Sequence, residues 1–99
     1  MRRAEALRLL REHRVDLNRL GVARLYLFGS VARDCANDES DVDLLIEPRD
    51  ERFSLYDMWR VQDACSKLLG CSAELHDYRG LERAQAFRER VSGDLVHVF

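Results

Sequence analysis

The sequence predicts a small α/β (α+β) domain, a mixed β-sheet flanked by helices in the order αβαβαβα with an optional short C-terminal strand. Three observations carry this expectation. Two apolar, strand-type runs, 22–28 and 42–46, are joined by a short polar segment. Stretches with apolar residues at helical spacing precede and follow them. Glycines then stand where those stretches stop, at Gly21, Gly70 and Gly93.

Residues 2–20 read as one amphipathic helix, with Ala6, Leu10, His13, Leu17 and Leu20 along its apolar stripe. His13 reads as a partly buried packing residue. Arg2, Arg3, Arg8, Arg11 and Arg14 give this helix a basic character, which is ordinarily a solvated face.

Val22 to Phe28 is rich in strand formers and reads as a buried strand. Gly29 follows, free to take positive φ and to let backbone approach a ligand closely. Ser30 suits the N-cap of a short helical turn over Val31–Cys35, and helix N-termini offer free N–H groups to anions. Asn37 and Asp38 signal a turn, after which Val42–Ile46 is again a strand-type run. A parallel return needs a dozen or more residues, so this short connection predicts antiparallel pairing, with Ser30 and Asp41 at the same end of the sheet.

Asp41 and Asp43, at i and i+2, are expected on one face of the second strand, roughly 7 Å apart at Cβ, with Val42 and Leu44 turned into the core. Two carboxylates held this way repel unless a cation lies between them. Oxygen ligands together with substrate phosphates are how Mg²⁺ is usually held. An isolated Asp-x-Asp would by default be a solvated strand start. Its coupling to Gly-Ser at this spacing, between two apolar strands, favours a metal and phosphate site.

Ser54 to Leu69 is the next helix, with Ser54 as N-cap and Gly70 as stop. Leu55, Met58, Trp59, Gln62, Cys65 and Leu69 lie near one stripe, while Tyr56 and Val61 fall outside it and widen the apolar surface. Met58 and Trp59 read as core, although so broad an apolar face could present part of itself to a partner. In the segment 71–78, alternation puts Glu74 and His76 on one face and Ala73, Leu75 and Asp77 on the other. Leu81 to Val91 is expected as the last helix, with Leu81, Ala84, Phe87 and Val91 inward. Leu95–Phe99 is a short edge strand or an ordered tail, in which His97 reads as structural.

Ninety-nine residues suit a single domain spanning 1–99, with one core. The chain shows no signal peptide and no apolar run long enough for a bilayer. An odd count of three Cys without metal-ligand pairs suits a reduced, cytoplasmic protein. A net charge of −2 argues against a nucleic-acid groove, which normally needs a basic face.

The strand, Gly29-Ser30, nearby Arg33, and Asp41-Val42-Asp43 together resemble the signature of the minimal nucleotidyltransferases of the DNA polymerase beta superfamily. Ser40 and Leu44 fit the common flanking pattern. That resemblance covers nearly the whole chain. It implies the nucleotidyltransferase fold and a third carboxylate on a later strand, for which Glu74 is the candidate, although many members carry Asp there. Asp34 is a second departure, standing where Gly often follows the Arg.

The resemblance further implies Asp41, Asp43 and Glu74 as metal-holding and catalytic residues, and Gly29, Ser30 and Arg33 as binders of the triphosphate. Two Mg²⁺ ions and ATP are the implied cofactor and substrate. The implied role is an antitoxin that adenylylates a tyrosine of a small helical HEPN ribonuclease, in a hetero- or homo-oligomer, without direct nucleic-acid or membrane binding. The alternative is a non-catalytic module that binds nucleotide or partner and blocks the partner sterically. Modification of a small molecule ranks last, because it usually needs an extra domain for the acceptor.

Overall fold

The computed structural model describes residues 1–34, 41–81 and 95–99. Two helices, α1 (Arg3–Glu12) and α2 (Arg14–Arg19), lead into strand β1 (Val22–Phe28). The one-turn helix α3 (Gly29–Ala32), strand β2 (Val42–Pro48), helix α4 (Leu55–Leu69) and strand β3 (Ala73–Asp77) follow. The short helix α5 (Tyr78–Leu81) and strand β4 (Val96–His97) complete the described elements. Of the predicted helix over 81–91 only Leu81, the end of α5, is described; the rest of it, the turn at Asn37 and Asp38, Ser40 and Cys35 lie outside the described residues.

The sheet order is β3-β2-β1-β4. β1 and β2 pair antiparallel, as their short connection predicts, with Phe28 opposite Asp43 and Leu27 opposite Leu44. β2 and β3 are parallel, with Asp43 opposite Glu74, and α4 supplies the long crossover that parallel strands require. β4 pairs antiparallel with the other side of β1, so the tail does form a strand.

Alternation along the strands sorts the sheet into two unequal faces. Leu25, Leu27, Val42, Leu44, Ile46 and Leu75 are buried on one face against Ala6, Leu10, Leu17, Val61, Cys65 and Leu69 of the long helices. Burial pushes the Cys65 thiol up to about 12, as befits a small core residue and not a nucleophile. On the other face, Phe28 and Leu45 are buried with Tyr26, Tyr78 and Leu95 packed against them. No helix among the described residues is long and apolar enough to cross a membrane.

The predicted single N-terminal helix is interrupted at His13. Its backbone leaves the helical region at φ −104° and ψ 19°, and its N–H donates to the Leu10 carbonyl three residues back. The Leu9 carbonyl, which an unbroken helix would offer to that N–H, instead accepts from the His13 ring at 2.9 Å. The side chain has taken the place of its own backbone donor. Packing of Ala6, Leu10 and Leu17 nonetheless follows the predicted stripe.

Helix α4 has the predicted ends. The Ser54 hydroxyl accepts from the Asp57 N–H, Asp57 accepts from the Ser54 N–H at 2.8 Å, and Gly70 closes the helix at φ +72°. Its orientation differs from expectation. The buried positions are Val61, Cys65 and Leu69, whereas Leu55, Tyr56 and Trp59 are 89, 66 and 61 % exposed. Two of the helix's polar side chains account for this rotation. Ser66 Oγ accepts from the Ala73 N–H at 3.1 Å, and Gln62 Oε1 accepts from the Leu75 N–H at 3.3 Å. Trp59 stands outside the core, stacked on Tyr56 with ring centroids 6.3 Å apart. Replacing Trp59 by Ala is therefore expected to cost under about 0.5 kcal/mol in urea unfolding, against about 3–5 for a core Trp.

Candidate functional site

The site forms where β1 ends and β2 begins. Phe28, the last residue of β1, is extended, and Gly29 turns the chain at φ +78°. A Cβ on Gly29 would lie 2.3 Å from Asp43 Oδ2, so the absence of a side chain is what lets the two strands bring turn and carboxylate together. The helical turn starts earlier than the sequence suggests. The Gly29 carbonyl already accepts from the Arg33 N–H, so Ser30 lies inside the turn and no side chain caps it. Arg33 closes α3 on the exposed side. Asp34 follows at φ +60°, a left-handed conformation that Asp tolerates and Gly adopts freely. Its side chain is used as well, because Asp34 Oδ1 accepts from the Arg3 N–H at 3.0 Å.

Three side chains converge beside this turn. Asp43, Glu74 and His76 each offer a ligand atom, and these atoms lie within 4.8 Å of one another. The parallel register puts Glu74 directly opposite Asp43, and alternation puts His76 on the same face two residues on. His76 Nε2 lies 3.7 Å from Glu74 Oε1, and the imidazole packs at 5.2 Å on the Phe28 ring. Asp77, the other acidic residue of β3, takes no part in this cluster. Its carboxylate accepts from Arg79 Nε at 3.1 and 3.0 Å, and Arg79 also donates to the Phe53 carbonyl.

The Asp43 carboxyl is held above its usual value, first by burial and then by the negative charge of Glu74. His76 pulls it back down, and a hydrogen bond with Glu74 and the charge of Asp41 raise it further. Asp41 itself is exposed, just ahead of β2, and stands outside the converging cluster. The structure thus brings Gly29, Asp43 and Glu74 together, keeps Ser30 in the adjoining turn, and sets Asp41 and Arg33 at the exposed rim. His76 was visible in the alternation with Glu74, but nothing in the sequence alone set its distance from Asp43.

The donor set fits a divalent cation. Two carboxylates and an imidazole converge, and the strain of gathering like charges in a half-buried place is what a bound cation relieves. A separate cleft, lined by Arg19, Arg49, Arg52 and Arg60 among others, lies at the far end of β1. It shares no residue with the carboxylate cluster.

The sequence profile of the nucleotidyltransferase domain matches residues 7–97. The chain belongs to this family. Among solved structures, this nucleotidyltransferase is similar to one provisionally assigned as a minimal nucleotidyltransferase, at 38% identity and TM-score 0.78, covering 97% of this chain and 95% of that one. It also shares its fold with a toxin–antitoxin crystallised with AMP-PNP, at 19% identity and TM-score 0.70, covering 90% and 72% of the two chains. A third similar structure is the complex of a tri-AMPylated HEPN toxin with its MNT antitoxin from Shewanella oneidensis. There the identity is 17% and the TM-score 0.66, covering 94% of this chain and 71% of that one. No curated protein matches this nucleotidyltransferase at a significant level.

Proposed function

We propose that this nucleotidyltransferase moves AMP from ATP to a hydroxyl, most specifically a tyrosine of a small helical HEPN toxin in the cytoplasm, and thereby acts as its antitoxin. The observation that carries this reading is the convergence of Asp43 and Glu74 beside a glycine turn too close to hold a side chain. Similarity of fold to an MNT antitoxin complexed with an AMPylated HEPN toxin supports the choice of nucleotide and partner.

In the proposed reaction the acceptor oxygen attacks the α-phosphorus, the new O–P bond forms, and the bond to pyrophosphate breaks. Divalent ions, when bound, would offset the charge of the triphosphate and of the entering and leaving oxygens. Asp43 on β2 and Asp41 just ahead of it would hold those ions, and Glu74 would complete the set from β3. Glu74, more exposed than Asp43, also takes the acceptor's proton. Gly29 and Ser30 bind the β- and γ-phosphates through the turn, and Arg33 offsets the charge of the departing pyrophosphate.

Incubation with Mg²⁺, α-labelled ATP and a purified HEPN ribonuclease that co-purifies with this protein from its source cells tests this reading. Label on a tyrosine of that protein, with loss of its ribonuclease activity, is the expected result. Inhibition of the ribonuclease without any label would instead establish a steric, non-catalytic neutraliser.

A further inference from the structure

We propose that His76 is a metal ligand and that the Asp43–Glu74–His76 cluster selects a first-row transition ion, of which Mn²⁺ is the probe, over Mg²⁺. The inference rests on the reading above, in which a cation sits at these carboxylates, and adds to it the identity of the ion. Its ground is the register of the sheet. Asp43 and Glu74 are paired across β2 and β3, and His76, one alternation further, returns to the same face.

The spacing suits a shared ion. At metal–ligand distances of about 2.1 Å, neighbouring octahedral ligands lie about 3.0 Å apart and opposite ones about 4.2 Å. Glu74 Oε1 and His76 Nε2, at 3.7 Å, fall between these values, and the full set spans 4.8 Å. Small side-chain rotations close the difference. Phe28, buried against β2, packs on the imidazole and restricts how far it can swing away.

The chemistry of the third donor then decides the preference. Mg²⁺ takes oxygen ligands, keeps its waters and gains little from imidazole. Binding to nitrogen strengthens along the first transition row, so an imidazole in the set tilts selection toward those ions. The chain has three histidines, and the other two are engaged elsewhere: His13 with the Leu9 carbonyl, His97 against the Tyr26 ring. A nitrogen ligand at this cluster therefore has one source.

Electron paramagnetic resonance of the metal-free protein titrated with Mn²⁺ tests this without reference to turnover. We expect Mn²⁺ to bind at least about tenfold more tightly than competing Mg²⁺, with spin-echo modulation from a coordinated ¹⁴N. His76→Gln should abolish that modulation and weaken Mn²⁺ binding about tenfold or more, while leaving Mg²⁺ binding within about twofold. Wild-type protein that binds Mn²⁺ without ¹⁴N coupling overturns the inference and leaves the carboxylate site standing. Asp43→Asn protein that binds Mn²⁺ as tightly as wild type overturns the carboxylate site as well.

Discussion

Exchanging Asp43 for Asn is expected to lower nucleotidyl transfer about 10³-fold or more, equivalent to about 4 kcal/mol of transition-state stabilisation, while leaving the fold intact. Asn keeps the shape of the side chain but loses the charge that holds a cation opposite Glu74. The same substitution should stabilise the metal-free protein at neutral pH. Burial and Glu74 hold the Asp43 carboxyl above its usual 3.8, so the folded chain keeps a proton that the unfolded chain releases. Stability is then lost as pH rises from the unfolded value through the folded one. Thermal melts in chelator should show Asp43→Asn melting above wild type at pH 7, with the advantage gone below about pH 3.8. Equal melting at pH 7 would mean that the ionised carboxylate is already compensated within the protein. A residue that weakens the fold while serving transfer is the expected pattern for an active-site group.

Gly29→Ala should have the next largest effect, on both stability and transfer. Two costs coincide there. An L-residue at φ +78° is strained by about 1–2 kcal/mol, and the new methyl would sit 2.3 Å from Asp43 Oδ2. Something must shift, and the Asp43 side chain is short and half-buried between two paired strands. Urea unfolding should register a loss of about 2–4 kcal/mol. Transfer should fall about 10²-fold through displacement of the carboxylate, even where the protein remains folded. Gly70→Ala separates the two costs, because Gly70 has φ +72° and nothing within 4 Å of where its Cβ would stand. That variant should lose about 1 kcal/mol and transfer normally. Equal activity of the Gly29 and Gly70 variants would show that the contact with Asp43 is unimportant.

What the sequence made legible was local. The ends of β1 and α4 are written in apolar runs, a capping serine and a left-handed glycine, each readable within a few residues. The short joining segment fixed the antiparallel sense of β1 and β2 for the same reason. Long-range register was not legible. That His76 meets Asp43 depends on which residue of β3 falls opposite it, a matter of how α4 returns the chain. The rotation of α4 was equally hidden, since Gln62 and Ser66 reveal their role only once unpaired strand N–H groups lie before them. His13 illustrates a third kind of opacity, in which a side chain outcompetes its own backbone for one carbonyl. Asp34 departs from the family pattern, and its positive φ explains why Gly suits that position.

The two bonds from α4 to β3 have a consequence beyond orientation. β3 lies at the end of the sheet order, and a bare strand edge is a template on which another molecule's backbone can add. Ser66 and Gln62 occupy the outward donors at Ala73 and Leu75, so the helix acts as a substitute neighbour for a missing fifth strand. Intermolecular growth of β-structure from this edge would first have to strip that cover away. The side chains that tie α4 to β3 thus also occupy two of the donors at which another molecule's strand would add.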